Sequence, residues 1–444
     1  MKLAVVVQRY GADINGGAEL HARYIAERLA PHADVRVLTT CARDYVTWRN
    51  ELPPGEERVN GIPVERFPVA RERDTTDFGR RSSLVFDRTH SLADELAWLE
   101  SEGPVSPALL ERLRRSESEF DFVLLFSVRY HHAYHGARML PHRAVLVPTA
   151  ERDASLGLQL FQPIFRGVRA IMYNTPEERA LIQHLSDNTH VPGVVVGVGS
   201  DVPLQVDPER ARHRFGLRNP FLIYVGRIDA NKGCAELFEY FLEYVQGDLP
   251  AEAGSRDQGA GRRDPLDLVL IGREVLPVPA HPRIRHLGFV SDQDKFDAIA
   301  AAEALVMPSY FESLSMVALE AWALGRPVIA NARCDVLVGQ SRRSNAGLYY
   351  ANALEFAAIV ETLRTDRGLA TRLGANGRTF FDTHYSWPAI ERKYLDMLGQ
   401  LQAGAPRQEM EPLPGWWARR GRTLRPAAAI VDASPRGPSL REIQ

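Results

Sequence analysis

The stretch that decides the fold covers residues 308–330 and reads PSYFESLSMVALEAWALGRPVIA. A short apolar run at 305–307 leads into it and predicts the end of a buried strand. Ser313 or Ser315 can cap a helix that runs to about Leu324, and the glycine that follows ends that helix. A second apolar run closes the stretch and predicts another strand. The stretch therefore predicts a strand, a loop, a helix and a strand.

Two carboxylates lie at the start of this helix and within it. Glu312 precedes the helix, and Glu320 points back toward the same end because helical side chains lean toward the N-terminus. Helix N-termini also favour anions. Two glutamates alone are better explained by the helix dipole and by solvent exposure. The residues around Glu320 are apolar nearly all round, however, which predicts a buried carboxylate that needs partners. A nucleotide sugar supplies both hydroxyls and phosphates.

Length and composition predict a soluble globular protein of two domains or more. The chain has 444 residues, of which 45% are hydrophobic and 25% charged, and this is too long for a single core. A formal net charge of −2 gives no reason to expect a nucleic acid partner. Only four of the 54 basic residues are lysines, namely Lys2, Lys232, Lys295 and Lys393. Their scarcity makes each of them noticeable, Lys232 above all.

The cysteines and the N-terminus predict a cytoplasmic protein. Three cysteines lie far apart, with no CxxC motif and no Cys/His cluster, so neither a disulfide framework nor a zinc site is predicted. The chain enters a strand pattern at once, without a signal peptide, and no apolar run approaches the ~20 residues of a membrane span. His131, His132 and His135 follow a strand, and the helix there predicts surface histidines rather than ligands.

The order of apolar runs predicts two successive α/β domains. A βαβ pattern opens the chain and restarts after Ser200, which predicts two Rossmann-like, doubly wound domains facing a central cleft, the default ligand site. A loop is expected at 74–88, and a surface insertion at 251–265. The predicted units are 1–200, 201–385, a C-terminal helix at 386–402 that packs back on the first domain, and a disordered tail at 403–444. Adjacent tryptophans and arginines at 414–420 suit either a peripheral membrane contact or docking against the folded body.

Two further loops offer groups for a diphosphate. Residues 225–233 read VGRIDANKG and follow the first strand of the second domain, where ligands bind in open α/β sheets. Arg227 and Lys232 could neutralise a diphosphate there, although two loop cations alone are more often only exposed. Gly16 and Gly17 precede a helix and would let the backbone approach a ligand. The DxD at 292–294 opens a helix and is predicted to cap it.

Together these motifs resemble glycosyltransferase family 4. The resemblance rests on GGAE at 16–19, on GRID…KG at 226–233 and on Glu312-x7-Glu320 followed by GRPV at 325–328. It covers most of residues 1–400. It implies the GT-B fold, retention of the sugar's configuration, and no metal or other cofactor. It also implies a UDP- or GDP-sugar donor bound by the second domain and a glycan or lipid-linked acceptor on the first, in cell-surface polysaccharide synthesis at the inner face of the membrane.

The resemblance also implies roles for single residues. Arg227 and Lys232 would hold the diphosphate and stabilise the leaving nucleotide, and Glu312 would contact the hydroxyls of the transferred sugar. The amides around Ser313, Leu314 and Ser315 would bind sugar and phosphate. Glu320 would bind the ribose diol, and Gly16 and Gly17 would approach the diphosphate from the opposite wall.

One position departs from the family pattern. Members often carry a histidine after the strand at 144–147, and here the expected position holds Glu151. Glu151 could take over the sugar contact or face the acceptor, or the loop could be shifted. Two alternatives to a glycosyltransferase function therefore remain open. One is a nucleotide-sugar epimerase of the same fold, and the other is a catalytically weak protein that binds nucleotide sugars.

Overall fold

Two β-sheets, each flanked by helices, form the structure, a computed structural model that describes residues 1–14, 16–247, 265–404 and 410. The first sheet has eight strands and the second has six. This arrangement confirms the predicted pair of α/β domains. The predicted insertion at 251–265 and the predicted tail fall almost entirely outside the described residues.

The first sheet is parallel except at one edge, where β3 pairs antiparallel with β4. Its central strands are apolar and buried except for Lys2 at the start of β1, as expected of strands covered on both faces. Its strands are β1 (Lys2–Val6), β2 (Asp34–Thr40), β3 (Gly55–Val59), β4 (Ile62–Phe67), β5 (Phe122–Phe126), β6 (Ala144–Val147), β7 (Ala170–Tyr173) and β8 (Gly193–Val195).

Seven helices pack around this sheet. They are α1 (Gly17–Leu29), α2 (Thr75–Asp87), α3 (Leu92–Glu102), α4 (Pro107–Arg115), α5 (His131–Met139), α6 (Gln162–Gly167) and α7 (Pro176–Ser186). Short 3₁₀ turns at Ala154–Gly157 and Gln159–Phe161 precede α6.

The second half begins with α8 (Pro208–Phe215) and contains a sheet whose strands are all parallel. Its strands are β9 (Phe221–Val225), β10 (Asp267–Ile271), β11 (Ile284–His286), β12 (Ala304–Met307), β13 (Val328–Asn331) and β14 (Gly347–Tyr350). The remaining helices are α9 (Cys234–Gln246), α10 (Asp292–Ala301), α11 (Met316–Ala323), α12 (Asp335–Ser344), α13 (Ala353–Thr365), α14 (Arg367–His384) and α15 (Trp387–Ala403).

The strand order places the ligand site. The second sheet runs β11-β10-β9-β12-β13-β14, and the first runs β3-β4-β2-β1-β5-β6-β7-β8. The order in which the chain adds strands reverses between β9 and β12 in one sheet, and between β1 and β5 in the other. Ligands of open α/β sheets bind outside the carboxyl ends of strands at such switch points. The predicted motifs follow β1, β9 and β12.

Helix α15 returns to the first half of the chain. The Tyr394 hydroxyl lies 3.1 Å from Nε2 of His21 on α1, and both side chains are buried. Arg169 donates to the carbonyl oxygen of Leu401 at 2.7 Å. The C-terminal helix therefore joins the second half to the first. No helix among the described residues is long and apolar enough to cross a bilayer.

The structure corrects two predictions. Residues 74–88, expected to be a loop, form α2, whose N-cap Asp74 accepts hydrogen bonds from two backbone amides. Phe78 and Phe86 of this helix pack against Trp98 of α3, so tertiary contact stabilises a capped helix in a segment rich in charged residues. The histidines of α5 are not at the surface either. His131 and His132 are 3% and 0% exposed, because α5 packs beneath α3 and α4.

Candidate active site

The loop after β9 lies directly against the loop after β12. Ala230–Lys232 form a 3₁₀ turn that Asp229 caps by accepting a hydrogen bond from the amide of Asn231. Gly233 then takes a left-handed φ of 71°, and a Cβ there would collide with the carbonyl oxygen of Pro308. Only glycine allows this approach, which brings Lys232 to the loop of Glu312.

Lys232 and Glu312 form an ion pair across the two loops. The Nζ and Oε1 atoms are 2.9 Å apart, and the two side chains are 28% and 13% exposed. Burial opposes the charge of Lys232, but Glu312 and Glu151 outweigh it and raise the pKa of the lysine. The ammonium group is therefore held charged inside the cleft.

Arg227 reaches the opposite wall. Its Nε lies 2.8 Å from Oδ2 of Asp229, and its Nη1 donates to the Tyr45 hydroxyl at 2.7 Å. Tyr45 belongs to the first half of the chain, in the loop after β2. The guanidinium groups of Arg9 and Arg227 lie 5.4 and 5.9 Å from the centre of its ring, within the range of cation–π attraction. Tyr45 therefore connects the two walls of the cleft.

Glu320 is buried, as its apolar surroundings predict. Its Oε1 accepts hydrogen bonds from Ser200 Oγ at 2.9 Å and from Lys295 Nζ at 3.0 Å. Its Oε2 is buried without a hydrogen-bond partner among the described residues. Since buried carboxylate oxygens are rarely left unpaired, a hydroxyl of a ligand is the kind of partner this atom lacks. The predicted ribose contact remains a prediction.

The loop that precedes α11 carries the remaining predicted contacts. Leu314 is buried and Ser313 is partly buried. Ser315 is the N-cap, and its Oγ accepts a hydrogen bond from the amide of Ala318. Ser315 adopts φ 67°, which is uncommon for a residue other than glycine.

Ser127 and Thr149 share this left-handed conformation on the opposite wall, with φ 63° and 48°. They follow β5 and β6, and the Thr149 hydroxyl donates to Ser127 Oγ at 3.0 Å. Such strain is costly for a β-branched residue. It is found preferentially at functional sites.

Glu151 lines a cavity beside these two residues. Burial raises the pKa of Glu151; Glu312 and Asp153 raise it further, while Lys232 opposes the shift. Lys232 and Glu312 are near enough to affect the pKa of Glu151, so Glu151 lies within electrostatic range of the predicted donor loops. The same cavity is lined by Glu19, Arg129 and Asp153.

Gly16 and Gly17 begin α1 at another edge of this cavity. Gly16 is the N-cap of the helix, and a Cβ there would collide with the carboxylate of Glu19, which pairs with Arg9. Gly17 has open space around its Cα. The space beside Gly16 is therefore occupied by Glu19, whereas the space beside Gly17 is open. The predicted approach of these glycines to a diphosphate remains a prediction.

Comparison with known proteins identifies the family. Residues 219–366 match the model of the family described as Glycosyl transferases group 1. A D-inositol 3-phosphate glycosyltransferase of Frankia alni is 30% identical over 428 residues, which cover 88% of this chain and 95% of that protein. The chain belongs to the group 1 glycosyltransferases. This confirms the resemblance to glycosyltransferase family 4, and the names of the relatives support glycosyl transfer rather than epimerisation.

Two further matches to this group 1 glycosyltransferase are partial or of low sequence identity. The enzyme of the same name from Mycobacterium marinum is 28% identical over 267 residues, 57% of this chain and 56% of that protein, so the match spans about half of that relative. The structure of Anabaena HepE with UDP and glucose superposes with a TM-score of 0.61 at 15% identity, covering 90% of this chain and 100% of HepE. At that identity the likeness shows the fold, which is GT-B.

Two residues of the glycosyltransferase cleft escaped the sequence analysis. Tyr45 lies in a segment without periodicity, and nothing in the sequence indicates that it spans the cleft. The sequence does draw attention to Lys295, because it is one of only four lysines. Its pairing with Glu320, however, depends on how α10 packs beside α11. The DxD at 292–294 forms the first turn of α10, but the N-cap is Ser291, whose hydroxyl accepts a hydrogen bond from the amide of Asp294.

Proposed function

We propose that this protein is a retaining glycosyltransferase that moves a sugar from a UDP- or GDP-sugar to a hydroxyl of a glycan or lipid-linked acceptor. The observation that carries the proposal is the convergence of Arg227, Lys232 and Glu312 at the ends of β9 and β12. Two cations and a carboxylate at a switch point match the charges that develop when a nucleotide sugar reacts.

The donor half of the site accounts for the charge of the reaction. The bond between the anomeric carbon and the diphosphate oxygen breaks, so negative charge grows on the diphosphate and positive charge on the sugar ring. Arg227 and Lys232 stabilise the diphosphate in place of a metal ion. In the structure Glu312 pairs with Lys232. When a donor is bound, Glu312 would give up part of this ion pair and accept hydrogen bonds from the hydroxyls of the sugar. Glu320 offers an unpaired oxygen for the ribose.

The anomeric carbon keeps its configuration if the acceptor attacks it from the same face as the one from which the nucleotide departs. The acceptor oxygen then forms the new bond to the anomeric carbon, and a phosphate oxygen of the departing nucleotide takes the proton of the acceptor hydroxyl. No protein base is required in this scheme. Glu151 lies at the sugar end, where it can accept a hydrogen bond from the donor sugar or from the acceptor.

The cavity lined by Glu151, which we assign to the acceptor, favours an acceptor hydroxyl that has no phosphate group next to it. Glu19, Glu151 and Asp153 line it, and among its described lining residues Arg129 is the single cation. Arg129 already pairs with Glu102 at 2.8 Å and with Asp153 at 3.3 Å. A phosphate near the reacting hydroxyl would therefore meet carboxylates, although the relatives are named for a phosphorylated acceptor. Uncharged polyols or amino sugars suit this wall better.

The biological setting is also a proposal. Acceptors of this kind belong to the synthesis of cell-surface polysaccharides at the cytoplasmic face of the membrane. The segment that suggested a peripheral membrane contact, 414–420, lies outside the described residues.

A donor screen followed by a turnover assay tests the function. UDP and UDP-sugars, or their GDP counterparts, should raise the melting temperature, because they bind only the folded state. Nucleotide release should then depend on an added polyol or oligosaccharide acceptor. The variant Lys232→Met should lose that release, whereas Lys2→Met, at the opposite end of β1, should keep it. Binding without turnover across broad donor and acceptor panels would instead support a nucleotide-sugar-binding protein. Absence of binding to either nucleotide series would reject both.

A further inference from the structure

A cluster of two histidines and a glutamate lies outside the cleft. His131 and His135 are four residues apart on α5, and Glu100 lies in the last turn of α3. One potential ligand atom from each of the three residues lies within 4.8 Å of the other two. Among the described residues these three form the one such group.

From this cluster we propose that Glu100, His131 and His135 form a binding site for a divalent transition-metal ion such as Zn²⁺. Imidazole and carboxylate are the nitrogen and oxygen ligands that zinc takes in proteins, and three protein ligands leave a fourth position for water. The half-exposed carboxylate of Glu100 leaves a route by which the ion and that water can enter.

The distances within the cluster suit a metal of this kind. His131 Nε2 lies 3.2 Å from Glu100 Oε1, which is close to the separation of about 3.3 Å between two ligands held about 2.0–2.1 Å from a tetrahedral zinc ion. The rings of His131 and His135 are 4.3 Å apart, so a small rotation of the His135 ring would complete the set. Residues at i and i+4 share one face of a helix, and α5 therefore presents both imidazoles to the carboxylate.

Burial places the cluster at the edge of the core. His131 is almost fully buried, whereas the carboxylate of Glu100 is half-exposed, so an ion bound between them would be partly withdrawn from water and still accessible from the Glu100 side.

The ion would stabilise the acceptor wall without taking part in the chemistry. The amide of His131 donates to the carbonyl oxygen of Gly103 at the end of α3. Residues 127–130, which line the cavity of Glu151, lie immediately before α5. A metal that ties α3 to α5 would hold this loop in place, and its three ligands do not line the cavity.

Titration of the full chain with metal alone tests the site. After treatment with a chelator and its removal, the protein should bind one zinc ion and gain melting temperature, and Co²⁺ should give the visible absorption of a four-coordinate ion. Glu100→Gln and His135→Gln should each weaken binding by at least about 100-fold, because even residues that only support a ligand contribute about 10–100-fold.

His90 supplies a matched control in the loop that precedes α3. Its Nε2 lies 3.0 Å from Glu95 Oε1 on α3, in a histidine–glutamate pair that lacks a second histidine. His90→Gln should therefore bind zinc as the natural chain does. Equal zinc affinity in the Glu100→Gln, His135→Gln and unaltered proteins would overturn the proposal, as would the absence of stoichiometric binding. Melting curves without metal establish that each variant is folded.

Discussion

Replacing Lys232 by methionine removes one positive charge and little volume from the cleft. Lys232 Nζ lies 2.9 Å from Glu312, and we propose that a bound donor places its diphosphate beside the same group. A unit charge about 4 Å from another contributes about 4 kcal/mol at an effective dielectric of about 20. If half to all of that is specific to the transition state, turnover falls by about 30- to 1000-fold.

The substitution also affects folding, and the two effects can be separated. Glu312 and Glu151 would remain without their cation, so Lys232→Met should destabilise the protein. The loss should be smaller than the roughly 3–5 kcal/mol of a fully buried pair, since more than a quarter of the lysine side chain is exposed. Adding Glu312→Gln should recover much of the stability but none of the turnover.

Nucleotide release and calorimetric nucleotide binding should be measured on the natural protein, on Lys232→Met and on the double variant at a temperature where each is folded. Turnover that returned with stability in the double variant would show that Lys232 acts only through folding. Wild-type turnover in folded Lys232→Met with every accepted donor would refute the role assigned to this lysine.

Three further substitutions test other parts of the structure. Tyr45→Ala should weaken nucleotide binding about tenfold in calorimetry, since it removes a hydrogen bond and a cation–π contact from Arg227. Glu151→Gln should raise the melting temperature at pH 8 but not at pH 4. The raised pKa of Glu151 means that the natural protein loses stability as pH rises above about 4.3, the pKa of an unfolded glutamate. Tyr394→Phe should cost about 1–3 kcal/mol in urea unfolding, because His21 would lose its buried partner.

Each of these outcomes has a control. Tyr45→Phe keeps the ring and loses only the hydroxyl, so its affinity should lie between those of Tyr45→Ala and the natural chain. A stability change in Glu151→Gln that is equal at pH 4 and pH 8 would contradict the assigned burial. Tyr349→Phe alters a tyrosine that is 38% exposed and should leave stability almost unchanged. An equally unchanged Tyr394→Phe would show that the α1–α15 contact contributes little.

The strands and the donor motifs were predictable for the same physical reason. A parallel strand covered on both faces must be apolar throughout, and the loop at its carboxyl end must then carry the polar chemistry. The runs of β9 and β12 are therefore visible in the sequence, and Lys232 and Glu312 follow them within a few residues. Helix α2 was not predicted because its segment is rich in charged residues and contains Gly79, although Asp74 caps the helix and its phenylalanines pack on Trp98.

The sequence by itself determined the two α/β halves, the fold family and the chemical character of the donor loops, because these depend on local order along the chain. Only the tertiary structure decided which side chains meet. Tyr45 reaches Arg227 across 182 residues, and Lys295 approaches Glu320 from a neighbouring helix. Glu100 joins His131 and His135 across two helices. These encounters depend on packing angles between elements, which no local pattern specifies, and burial at those contacts sets the charge states that the chemistry uses.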